Sequence, residues 1–309
     1  MTAPGRTTAA PHTLEVADGV FAYVQPDGGW CVNNAGIVRD GSSAALVDTA
    51  ATVARARALR TAVERLTAAP PEVLVNTHHH GDHFFGNQVF APRSLVVAHE
   101  LARVEMAQAG LGLTAMWPDV DWGEIDLTLP VLTFRDRITL HTGALRLELM
   151  HVGPAHTTND VVVWVPERRV LFSGDVLLSG ATPYCLMGSI EGSLRAVERL
   201  RGLGATTIVP GHGPIGGPEL LDATRDYLEW VRSLARDGTA AGLTALEIAR
   251  AADLGPFSEL LDSERLVGNL HRACAELDAR DDELGRPLDV VASFREMVEF
   301  HGRLPDCHA

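Results

Sequence analysis

The chain has 309 residues, 46% of them hydrophobic and 21% charged, and a formal net charge of −14. That suits one large globular domain, or a domain with an appendage. The acidic balance excludes a nucleic-acid partner, whose phosphates need a basic surface. No apolar run approaches the ~18–20 residues that a bilayer-spanning helix needs.

All 26 basic residues are arginines, so lysine nucleophiles and Schiff-base chemistry are excluded. Met1 to His12 are small and polar and lack the apolar centre of a secretory signal, which predicts a cytoplasmic protein with a loose N-terminus. Cys31, Cys185, Cys274 and Cys307 are scattered, with no CxxC pair, and read as free thiols. Cys185 draws notice for its place after Tyr184.

In chain order, Leu14–Val16 and Val20–Val24 read as a hairpin turned at Asp18-Gly19, and Asn33–Val38 and Ala44–Val47 as another turned at Asp40-Gly41. Ala50–Leu66 has helical spacing and stops before Pro70-Pro71. Val73–Val75 is a short buried strand that delivers Thr77-His78-His79-His80-Gly81-Asp82-His83. A short helix near 82–89, a strand at Ser94–Val97 and a helix at Glu100–Gln108 follow. Ala109–Leu129, with Met116-Trp117-Pro118 and Trp122-Gly123, reads as a long loop or lid at the mouth of a site.

Strands are then predicted at Leu132–Phe134, Ile138–His141, Leu145–His151, Val161–Val165, Val170–Phe172 and Thr207–Val209, with a helix capped by Ser189 or Ser193 and running to Leu203. After Pro218 the texture is helical: Leu220–Leu234, Ala245–Ala252, Ser258–Leu277 and Leu288–Phe300, with Thr244 and Ser258 as N-caps. The expected architecture is a sheet sandwich covered by helices. The expected division is a core over 13–217 and a helical extension over 218–309.

The histidine-rich stretch points to metal. On an extended segment His78 and His80 face the same side and can meet one ion, while His79 faces away. Asp82 and His83 come after the bend at Gly81 and can reach a second ion. Two ions so close need a shared anionic ligand and further nitrogen donors. The candidates are His156, Asp175 and His212, each shortly after a glycine and a strand.

With these residues in place, the sequence resembles the metallo-β-lactamase superfamily. Thr77–His83 matches its HxHxDH signature, and Gly153-Pro154-Ala155-His156-Thr157, Phe172-Ser173-Gly174-Asp175 and Pro210-Gly211-His212-Gly213 match later motifs in the family's order. Asp48 matches the acidic residue that ends an early strand. The resemblance implies an αββα sandwich, of α/β (α+β) class, with a dinuclear site. His78, His80 and His156 would hold one ion, Asp82, His83 and His212 the other, and Asp175 would bridge them. A bridging aspartate resembles the glyoxalase II, lactonase and general hydrolase branches more than the antibiotic-hydrolysing branch.

The resemblance implies that such a site would hydrolyse a carbonyl compound, the metal pair supplying an activated water and Asp82 orienting it. Zinc is the default, and iron and manganese also suit imidazole–carboxylate sets. The bond expected is a thioester, an ester or a lactone. The alternatives are an iron-dependent oxidoreductase of the same fold (like the persulfide dioxygenases), a β-lactamase or a lactonase. Trp117, Trp122, Tyr184 and Met187 are the candidate substrate-binding residues, building an apolar, aromatic pocket. The run Tyr23–Trp30 and the Ala-rich, Arg-for-Lys composition are similar to bacterial aromatic polyketide cyclase/thioesterases of this superfamily. That similarity implies an acyl substrate, small or carrier-protein-bound. A homo-oligomer is left open.

Overall fold

The computed structural model describes residues 10–26 and 30–308. Most of the loose N-terminus expected over Met1–His12 lies outside them, as do Asp27–Gly29 of the Tyr23–Trp30 run. His12 itself already pairs with Val24 in a strand.

The first half builds a seven-stranded sheet from β1 (His12–Ala17), β2 (Val20–Val24), β3 (Ala35–Asp40), β4 (Ser43–Val47), β5 (Val73–Val75), β6 (Leu95–His99) and β7 (Leu132–Phe134), in that spatial order. The strands up to β4 are antiparallel, and β4 to β7 are parallel. Parallel neighbours need crossovers. These are α1 (Val53–Leu66), the one-turn helices α2 (Gly81–Phe84) and α3 (Asn87–Phe90), and α4 (Glu100–Ala109). Helix α1 begins later than its sequence pattern suggests because Thr52 caps it, accepting from Arg55 N.

The second sheet comprises β8 (Arg137–Thr142), β9 (Leu145–His151), β10 (Val161–Val165), β11 (Val170–Gly174) and, after α5 (Ile190–Arg201), β12 (Thr207–Pro210). Ser189, not Ser193, caps α5 through Gly192 N. Strands β11 and β12 run parallel, and their ends carry Asp175 and His212 to the same edge.

Alternation along each strand makes the layers. Val38, Val47, Val75 and Val97 face Leu149, Val163 and Phe172 between the sheets. Their neighbours Ile37, Leu46, Leu74 and Val96 face outward under Leu59 and Val63 of α1. On the far side Val162, Trp164, Leu171 and Ile208 lie under Ala196, Val197 and Leu200 of α5. The order is therefore helix, sheet, sheet, helix.

Helices α6 (Glu219–Ala240), α7 (Ala245–Ala251), α8 (Arg265–Glu276) and α9 (Val290–His301) form a further apolar cluster that takes in Ile190 and Leu194 of α5. Thr244 caps α7 in a capping box with Glu247. Ser258 is not an N-cap. Gly255-Pro256-Phe257 make a 3-10 turn that ends at Ser258, and the chain then pairs with the strand-like stretch before Tyr184: Thr182 N donates to Leu261 O at 2.9 Å. Helix α8 starts only at Arg265.

The 109–129 segment is less lid-like than its glycines suggest. Its second half is tied down, with Trp122 O accepting from Val53 N and Thr128 O from Asn87 Nδ2.

Candidate metal centre

The site sits where strand ends from both sheets converge. Beyond Val75, Asn76 Nδ2 donates to His83 O at 3.1 Å and pulls the 77–80 turn tight against α2. Asp48, just past β4, accepts from Thr77 N at 2.7 Å, from Thr77 Oγ1 at 2.8 Å and from His83 Nδ1 at 2.9 Å. It does so from a left-handed backbone, φ 62°. The second sheet delivers His156 from the loop between β9 and β10, Asp175 after β11 and His212 after β12. Gly211 packs so closely that a Cβ there would fall 1.9 Å from Asp175 Oδ1.

The structure brings all seven predicted metal residues together in two groups. His78, His80, His156 and Asp175 each offer a ligand atom within 4.8 Å of the others, and so do Asp82, His83 and His212. Asp175 faces both groups: Oδ2 lies 3.8 Å from His78 Nε2 and 3.5 Å from His156 Nε2, and Oδ1 lies 3.1 Å from His83 Nε2. Asp82 Oδ2 lies 3.3 Å from His83 Nε2 and 3.2 Å from His212 Nε2. His79 points away, accepting from Asn159 Nδ2 at 2.9 Å beside Glu105.

These residues fit metal ions. Nitrogen and oxygen donors bound at about 2.0–2.1 Å around a tetrahedral ion stand ~3.3 Å apart, close to the separations seen. His78 Nε2 is buried without a hydrogen-bond partner, and so is Asp175 Oδ1 despite its nearness to His83. An unpaired buried polar atom is costly unless something else binds it. Outer contacts also fix the tautomers. His83 Nδ1 donates to Asp48 and His156 Nδ1 to the Tyr184 carbonyl at 2.5 Å, leaving each Nε2 directed inward.

The electrostatics agree. Burial pushes His78 and His80 well below the usual histidine range and His156 down to about 4. Burial acts the same way on His212 and His83, but Asp175 and Asp82 outweigh it, holding His212 at about 9 and raising His83. For Asp82 and Asp175 burial opposes ionisation. The histidines prevail, and both carboxyls sit well below the usual range.

Above the donors opens a cavity of about 170 Å³, with His80, Asp82, His156 and Asp175 at its floor. Trp117, Tyr184 and Met187 line it. Trp122 does not: it is 9% exposed and packs edge-on to Trp30 at 4.6 Å, behind the wall. Cys185 is sealed in the protein, its thiol 3.3 Å from the Ser193 hydroxyl and pushed up to about 12 by burial. Sequence reading passed over Cys31, Arg265, Phe294, Met297 and Cys307 as cavity residues. They come from distant segments, and no local pattern marks them.

An αββα sandwich with paired clusters of histidine and carboxylate donors at one sheet edge defines a class of dinuclear metalloproteins. The family model of the metallo-beta-lactamase superfamily matches residues 28–212. The chain belongs to that superfamily.

A metallo-beta-lactamase from Pontibacter korlensis superposes with a TM-score of 0.58 at 24% identity, over 71% of this chain and 99% of that one. A hydroxyacylglutathione hydrolase of Methylococcus capsulatus is 28% identical over 208 residues, 60% of this chain and 69% of its own length. The acyl-coenzyme A thioesterase MBLAC2 of Homo sapiens is 27% identical over 173 residues, 50% of this chain and 60% of its own length. The chain spans only 48% of the length of another relative that it matches. Among the described residues, no helix is long and apolar enough to cross a membrane.

Proposed function

We propose that the chain is a zinc-dependent metallohydrolase that cleaves a thioester, or an ester or lactone. The observation that carries this is the placement of Asp175: one carboxylate faces both donor groups at the floor of a cavity walled by Trp117, Tyr184 and Met187. His78, His80 and His156 would hold one ion, and Asp82, His83 and His212 the other. A bound metal pair supplies Lewis acidity and a nucleophile available at neutral pH.

The chain's own groups do the rest. Asp82 lines the cavity and stays ionised, so its carboxylate would accept a hydrogen bond from the attacking water and orient it. The apolar walls admit an acyl group and exclude bulk water.

Within this reading the substrate is an acyl thioester, small or carrier-protein-bound, and the protein a thioesterase/cyclase of aromatic polyketide biosynthesis. The resemblance of a relative named as an acyl-coenzyme A thioesterase supports the bond type. The core over 13–217, the helical extension over 218–309 and a cytoplasmic location belong to the same proposal.

A panel of acyl-thioester, lactone and β-lactam substrates, with elemental analysis, tests it. Thioester turnover that stops on chelation and returns with zinc is expected. Activity surviving in metal-free protein, or one iron per chain and no hydrolysis, overturns it.

A further inference from the structure

Two thiols meet at the wall of the cavity. Cys31 lies in the connection between β2 and β3, and Cys307 lies after α9, 276 residues later. Their Sγ atoms are 2.9 Å apart, and Cys31 N donates to Cys307 O at 2.7 Å. The two sulfurs need close by only ~1 Å to reach the about 2.0 Å of an S–S bond. Both residues hold left-handed backbones, φ 44° and φ 55°, which side chains other than glycine rarely adopt. The fold thus aims two sulfurs at each other from opposite ends of the chain.

The segment 302–308 is already pinned across the cavity wall by side chains from separate elements. Trp117 Nε1 donates to Pro305 O at 3.3 Å, and His308 N donates to Asp262 Oδ1 at 3.1 Å. Pro305 and Cys307 both line the cavity that contains His80, Asp82 and Asp175. A small oxidant entering that cavity therefore reaches the thiol pair.

We infer that Cys31 and Cys307 are a dithiol modification site, oxidised by a peroxide to a disulfide that straps the segment 302–308 onto the wall of the metal cavity. The less buried Cys307, as its thiolate, attacks a peroxide oxygen, breaking the O–O bond and releasing water to leave a sulfenic acid, while burial keeps the Cys31 thiol protonated. The second thiol attacks that sulfur, forms the S–S bond and releases a second water. Two thiols lose two hydrogens and two electrons, and the peroxide gains them. A reducing thiol pool reverses the step. The bridge closes a loop of most of the chain, and long loops lose the most denatured-state entropy, so the oxidised protein should be the more heat-resistant form.

The metal-loaded full chain is treated with hydrogen peroxide, its remaining thiols are alkylated, and it is mapped by non-reducing peptide mass spectrometry. A linked peptide joining Cys31 to Cys307 is expected, with Cys185 and Cys274 left as alkylated thiols. A rise in Tm reversed by dithiothreitol should accompany it, and no rise should occur in Cys307→Ser. Recovery of Cys31 and Cys307 as separately alkylated or sulfinic residues overturns the inference, as does an equal Tm rise in Cys307→Ser. Neither readout depends on what the metal site hydrolyses.

Discussion

The carboxylate of Asp48 lies 2.9 Å from Nδ1 of His83 and also accepts both the backbone and the hydroxyl of Thr77. One side chain thereby sets the tautomer of a metal residue and the pose of the turn that carries His78 and His80. Contacts of this kind are typically worth 10–100-fold in metal affinity. Asp48→Ala should weaken metal binding by that order while the protein still folds. Asp48→Asn should lose less, because asparagine tolerates a left-handed backbone. Competition with a chromophoric chelator measures both, and wild-type affinity in Asp48→Ala would show that His83 orients itself.

Gly211 offers a sharper perturbation. A methyl there falls 1.9 Å from Asp175 Oδ1, so Gly211→Ala must displace the carboxylate that faces both donor groups. Metal content by mass spectrometry should fall in that variant. Gly41→Ala is the control: its φ is 58°, but nothing lies within 4 Å of the added carbon. It should cost about 1 kcal/mol in stability and no metal.

The raised histidines make metal binding a proton-releasing event. His212, held at about 9 by Asp175 and Asp82 against the pull of burial, is protonated at neutral pH in the metal-free protein, and His83 shifts the same way. Ligation requires the neutral ring. Zinc binding at pH 7 should therefore expel at least one proton per chain, seen by calorimetry in buffers of different ionisation enthalpy.

Affinity should rise with pH towards 9. Metal-free stability moves the other way. A folded pKa above the ordinary 6.5 contributes stability below 6.5 and loses it as the pH rises through about 9. A metal-free Tm that climbs over that window would falsify the assignment.

The two tryptophans of the 109–129 segment should behave differently. Trp122 is buried against Trp30 and Phe85, so Trp122→Ala should cost about 3–5 kcal/mol. Trp117 lines the cavity and is half-buried, so Trp117→Ala should cost less stability and raise KM. Calorimetry and steady-state kinetics on the thioester substrate separate the two effects.

Sequence alone determined the candidate donor set. His78, His80, Asp82 and His83 fall within six residues of one another, where local geometry decides which rings share a side, and His79 is turned away by the same alternation. His156, Asp175 and His212 were legible because each follows a strand end in a motif. Element types were legible because period-two and period-3.6 patterns are local. Where a competing constraint acted, as when the chain near Leu261 pairs with Thr182 in place of starting a helix at Ser258, the pattern misled.

The cavity was decided by tertiary structure. Whether Trp117 or Trp122 faces it depends on how the segment lies against α1. Phe294 and Met297 enter from α9, and Cys307 meets Cys31 across 276 residues. Such meetings are set by the packing of separate elements, and packing leaves no periodic trace in the chain that makes it.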